Sequence, residues 1–283
     1  MSAFSKLLTL LENKQGQVKN GVKIIGFIFL LCITSILASF IPSPEPIKIW
    51  ILIAVALVAS WFCLKLEGQA LTSIGLKLNV RFLLEFLAGA LSGVLLIVIS
   101  ALIVKLFGGF IWTRNSQVNL SALFYALSPF FAISLFEELL FRGYAFQRAV
   151  RGLGKTNALL VFGLLFVVVH WSNPGMTGSV KAWASLNIGL ASVLLGLAWL
   201  RTNSLALPIG IHLGWNWAQG SLLGFGVSGT KPSGFWAPVF NDAPQWLTGG
   251  EFGLEASLPA SIVCLMACVC LGLWRRATTV SNP

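Results

Sequence analysis

Glu137 and Glu138 stand side by side after an apolar run of 17 residues, and Leu139, Leu140 and Phe141 separate them from Arg142. The chain has two histidines, His170 and His212, each within an apolar stretch. Asn216 follows His212 at i+4 and therefore shares its helix face. Ionisable groups are costly inside a bilayer, and those that are kept there usually serve function. A carboxylate and an imidazole that share one water form a general-base pair suited to hydrolysis. A single membrane histidine is well explained as a hydrogen bond between helices. Both histidines, the adjacent acid pair and a same-face asparagine within 80 residues ask for more than packing.

Spacing suggests partners. A helical hairpin over residues 120–172, turning near 152–156, puts Glu137 and His170 at equal distances from the turn, so their side chains can meet. Glu138 and Arg142 form an i, i+4 pair in the favourable acid-first order. That pairing makes Glu138 structural and leaves Glu137, about 100° round the helix, free to face the histidine.

The strings Glu137-Glu138-x-x-x-Arg142, Phe166-x-x-x-His170 and His212-x-x-x-Asn216 resemble, in order, the three motifs of the CaaX-protease and bacteriocin-processing (Abi) family. These are intramembrane endopeptidases that include the type II CaaX prenyl endopeptidases. The lead from Leu205 to His212 is also similar to the family's approach to its third motif, and the resemblance covers about residues 120–220. It implies water activation by Glu137 and His170 and oxyanion stabilisation by His212 and Asn216, with Glu138 and Arg142 in support. The implied substrate is a membrane-associated protein or peptide. Family members are often labelled metalloproteases, and Glu137, His170 and His212 could supply three zinc ligands with a fourth position open. Against zinc, no helix carries an i, i+4 histidine pair of the zincin type. Metal-independent chemistry is the favoured expectation.

The elements that must position these groups follow from composition. Of 283 residues, 57% are hydrophobic and 10% charged, and the mean hydropathy is +0.86. A soluble domain carries about a quarter charged residues, so the chain reads as a polytopic membrane protein. Twenty-one Phe and 11 Trp exclude disorder. The net charge of +10 comes from basic residues that punctuate apolar runs, the signature of loop orientation rather than of nucleic-acid binding. Cys32, Cys63, Cys264, Cys268 and Cys270 lie in apolar runs and read as small hydrophobes.

Eight spans are expected, at residues 24–41, 49–64, 86–104, 120–136, 158–171, 182–200, 205–225 and 256–274. The fold class is therefore an all-α bundle of about eight transmembrane helices, one domain over 1–283 with its catalytic helices within 120–220. With the N-terminus inside, 14 of the 19 Lys and Arg fall in inner segments, including Lys6, Lys14, Arg275 and Arg276. That bias implies both termini cytoplasmic in a multi-pass protein, and a bacterial inner membrane is its expected location.

Residues 66–81 are expected along the inner face. Residues 226–255 are expected to form an outer loop anchored by tryptophan. Gly154-Lys155-Thr156 ends like a phosphate-binding loop, but Ala149 stands where the first glycine belongs, so it reads as a turn. Gly89-x-x-x-Gly93 and Gly210-x-x-x-Gly214 read as surfaces for close helix packing. Two other classes compete with the peptidase. An ion-coupled transporter would relay protons through the same groups but predicts repeat symmetry, which is not found. A non-catalytic immunity or scaffold protein would use the pocket only to bind.

Overall fold

The computed structural model describes residues 18–231 and 233–274, together with residue 11. Lys6, Lys14, Arg275 and Arg276 lie outside the described residues. The main helices are α1 (Asn20–Ser39), α2 (Glu45–Leu66), α3 (Val80–Leu106), α4 (Leu120–Phe141), α5 (Tyr144–Leu153), α6 (Lys155–His170), α7 (Gly178–Thr202), α8 (Ala206–Trp217) and α9 (Leu258–Leu273). Asn79, Asn119 and Ser257 begin α3, α4 and α9 by accepting a hydrogen bond from the amide three residues on.

Among the described residues, five helices, not eight, are long and apolar enough to cross a membrane. They are α1, α2, α3, the stretch Leu120–Leu153 and α7. The other three expected spans are apolar but short: α6 and α9 have 16 residues and α8 has 12. At 1.5 Å per residue, 16 residues reach about 24 Å, less than a hydrocarbon core of ~30 Å. In α8 the apolar composition answers to protein burial, since every residue from Ala206 to Asn216 is buried. Hydropathy alone does not separate such a core helix from a span.

The expected hairpin is interrupted as well. α4 stops at Phe141, and α5 follows as a short amphipathic helix with Tyr144, Phe146, Gln147 and Arg148 buried. Gly154, at φ 81°, then turns the chain into α6, in keeping with the turn expected there. Residues 66–81 are mostly irregular, with one 3₁₀ turn at Leu71–Ile74.

A two-stranded antiparallel sheet was not anticipated. β1 (Phe110–Arg114) pairs with β2 (Trp236–Phe240) in the register Phe110↔Phe240 to Arg114↔Trp236. It ties the segment after α3 to the long loop before α9. That loop is not a free surface strap: Val227, Leu247, Phe252 and Leu254 within it are buried.

The two glycine pairs meet each other. A Cβ on Gly93 would strike the carbonyl oxygen of Ile211, one on Gly210 that of Phe86, and one on Gly214 that of Ala90. α3 and α8 therefore touch backbone to backbone, which fixes the depth and rotation of the helix that carries His212. At one end of the bundle Glu67 joins three elements: Lys23 of α1 at 3.0 Å, Tyr144 of α5 at 2.5 Å and Arg148 of α5 at 2.9 Å. Burial alone would raise the Glu67 carboxyl, but hydrogen bonds from Tyr144, Arg148 and Lys23 hold it below its ordinary range.

Candidate active site

α4, α6, α7 and α8 enclose a cavity of about 460 Å³. Glu137, His170, His212 and Asn216 all line it, among mainly aromatic and aliphatic side chains. The four groups singled out from spacing thus face one space.

Glu138 and Arg142 form the expected pair, with Oε1 3.1 Å from Nη1 and side chains 0% and 1% exposed. Arg142 Nη2 also donates to the carbonyl and hydroxyl of Ser192 on α7, at 2.9 and 2.8 Å. A buried guanidinium needs such partners, because an unpaired charge there would cost several kcal/mol. Arg142 thereby bolts the end of α4 to α7. Sequence spacing had no means of finding Ser192, which lies 50 residues away.

Glu138 has a second duty. Its Oε1 also lies 2.9 Å from His212 Nδ1. An ionised carboxylate only accepts, so Nδ1 carries the proton and the ring is oriented by the same acid that holds Arg142. Among the described residues Glu137 Oε2 is buried without a hydrogen bond, and His212 Nε2 stands 3.8 Å from it. The histidine within ion-pair reach of Glu137 is therefore His212. His170 shares the cavity, but no hydrogen bond joins it to Glu137 among the described residues.

His170 is set by its own helix. Its Nδ1 lies 2.6 Å from the Phe166 carbonyl oxygen, which can only accept. The proton is on Nδ1, so in the neutral ring Nε2 offers a lone pair. Phe166 packs edge-on to Phe141 at 4.8 Å, lies 4.6 Å from the His170 ring and 6.4 Å from that of His212. The Arg142 guanidinium sits over the Phe166 ring at 5.0 Å. The phenylalanine of the second motif is thus the spacer between both histidines and the arginine.

α8 is held by its continuation. The chain passes into a π-helical turn at Ala218–Leu222, where Gln219 accepts from Trp215 Nε1 and donates to the Gly226 carbonyl. Trp217 Nε1 donates to the Leu123 carbonyl on α4 at 2.9 Å. Asn216 lies between these ties and is buried, with its side chain left for the cavity.

The decisive comparison concerns this stretch. Residues 117–218 match the family model "Type II CAAX prenyl endopeptidase Rce1-like". The Rce1-like match takes in all three motifs and a little over a third of the chain. No curated protein matches the chain.

Polar residues that spacing did not single out also reach the cavity: Asn173, Asn187 on α7, Ser228, Thr230, and Glu255 just ahead of α9. Asn187 Nδ2 is buried without a partner. Glu255 lies outside the Rce1-like segment. Its sequence signal was an acid placed just before an apolar helix, whereas Glu137 and Glu138 stand at the end of one. Among the described residues, no group of three or more His, Cys, Asp or Glu is arranged to hold a metal ion. Glu137, His170 and His212 therefore do not fit a zinc centre in this arrangement, and no step below runs through a metal.

Proposed function

We propose that the chain is an intramembrane endopeptidase that hydrolyses a peptide bond in a membrane-associated protein or peptide. The carrying observation is the buried, unbonded Glu137 Oε2 in a cavity shared with His170, His212 and Asn216. An orphaned buried carboxylate oxygen costs stability, which is reasonable at a site that must take up a proton.

Glu137 and the Nε2 lone pair of His170 together hold the attacking water, and Glu137 removes its proton as oxygen adds to the carbonyl carbon. The resulting oxyanion lies against Asn216 Nδ2 and, with the ring doubly protonated, His212 Nε2. Glu138, hydrogen-bonded to Nδ1, supplies the negative charge that balances the ring once Glu137 has taken the proton. The proton held by Glu137 then passes to the leaving amine. Glu138 and Arg142 position His212 and the end of α4 and do not touch substrate.

The whole operates as a single membrane-embedded domain with the reacting helices within 120–220. Basic residues at the Glu67 end of the bundle support a cytoplasmic placement of that end. The test compares membranes from cells making the wild type and Glu137→Gln for new peptide termini. Termini present only with the wild type support the peptidase. Identical termini in both would leave a binding protein, the immunity or scaffold reading.

A further inference from the structure

Glu255 is 7% exposed and lines the same cavity as Glu137 and the histidines. One of its oxygens is fixed: Oε2 accepts from the Ser228 amide at 2.7 Å and the Ser228 hydroxyl at 3.0 Å. Ser228 has a left-handed φ of 48°, and both of its donors meet one acceptor. Asn173, at the α6–α7 turn, donates to the Ser228 carbonyl at 3.1 Å and anchors that wall. The other oxygen, Oε1, has no hydrogen bond among the described residues. The carboxylate is thus held rigidly by one oxygen and presents the other to the cavity.

Among the described residues, no Lys or Arg lines this cavity. The guanidinium of Arg142, behind the site, is committed to Glu138 and Ser192. Two acids, Glu137 and Glu255, therefore face a space of low dielectric. The one cation the mechanism places there, the doubly protonated His212, is hydrogen-bonded to Glu138 and stands 3.8 Å from Glu137. That leaves Glu255 without a cationic partner of its own among the described residues. Burial accordingly pushes the Glu255 carboxyl up, against the opposing pull of Ser228, His170 and His212. A ligand that brings positive charge removes that penalty, whereas an apolar or acidic group leaves it in place. Asn173, Ser228 and Thr230 give this end of the cavity a polar lining, which suits an ammonium or guanidinium tip whose stem crosses apolar walls.

We infer that Glu255 forms the anionic end of a specificity subsite that receives a lysine or arginine side chain of the substrate near the scissile bond. The inference rests on the peptidase reading above, and it goes beyond the matched family segment, in which Glu255 does not lie.

The test uses the full chain in detergent and a set of fluorescent peptides that differ at one position, scanned in turn through Lys, norleucine and Glu. Binding is measured to Glu137→Gln, and cleavage with the wild type. At one position Lys should bind at least about 30-fold more tightly than norleucine. Adding Glu255→Gln, which keeps an acceptor for Ser228, should collapse that ratio to within about threefold. Glu255→Lys should reverse the order in favour of the Glu peptide, an outcome that misfolding cannot produce. Equal binding of Lys and norleucine at every position overturns the subsite whatever the variants do. So does tighter binding of the Glu peptide, which would mean a protonated Glu255 donating to an acid. Tight Lys-dependent binding without cleavage would leave the subsite standing and defeat the peptidase reading alone.

Discussion

His212 Nδ1 and Arg142 Nη1 meet the same carboxylate oxygen, Glu138 Oε1, at 2.9 and 3.1 Å. The acid that locks α4 to α7 therefore also aims the histidine of α8 into the cavity. Each acid keeps one buried oxygen, Oε2, without a hydrogen bond among the described residues, but the neighbouring Glu137 has no partner on its other oxygen comparable to the Arg142 and His212 contacts of Glu138. Adjacent and chemically identical, the two acids are separated in role by what reaches them.

Glu138→Ala is expected to lower stability by about 3–5 kcal/mol, because it leaves a buried guanidinium without its counter-charge. Glu137→Gln should cost far less, since no bond is broken. Thermal melts in detergent read both. A Glu137→Gln protein less stable than Glu138→Gln would mean the roles are exchanged.

Asn216→Ala should lower kcat by ~10² or more and leave KM nearly unchanged, as expected for a donor that acts in the transition state. A rise in KM at constant kcat would instead make Asn216 a substrate-binding group.

Gly214→Leu and Gly93→Leu should each separate α3 from α8, because the added atoms fall on backbone that cannot yield. Activity and melting temperature should fall together, since His212 moves with the helix. Gly26→Leu, where a Cβ meets nothing within 4 Å, serves as the control and should change neither.

Much of the site was legible because it is local. The Glu138–Arg142 pair is one helical turn, His212 and Asn216 are another, and Phe166 and His170 a third. Such pairs need only helical periodicity to be seen. The glycine pairs were legible as packing surfaces for the same reason. Contacts between segments were not: Glu138 to His212 spans 74 residues, and Glu255 to Ser228 joins the far end of a loop to its start. The count of eight spans failed on α6, α8 and α9, where apolar sequence reflects burial by protein in helices too short to cross. The sheet was missed because Phe110–Arg114 and Trp236–Phe240 are five residues each, too short for alternation to register.

Acid should weaken the Glu67 junction. Its folded-state value is depressed, so its contribution is present above the ordinary value of 4.5 and is lost as pH falls through the lower one. Glu67→Gln should melt below the wild type at pH 7, and the gap should close in strongly acidic buffer. A gap that persists there would place the effect in packing.

Chelation should leave cleavage intact, because Glu137, His170 and His212 are not gathered as metal ligands. Reversible loss of activity in chelator, with one zinc per purified chain, would reassign His212 from oxyanion donor to ligand.

The most direct measurement is single-turnover cleavage by purified wild type, Glu137→Gln and Glu138→Gln, using a peptide identified from the membrane comparison. A general base of this kind contributes roughly 10² to 10⁴ in rate, so Glu137→Gln should lose about that much while remaining folded. Glu137→Gln cleaving at the wild-type rate would contradict the account, and would do so most clearly if well-folded Glu138→Gln were inactive.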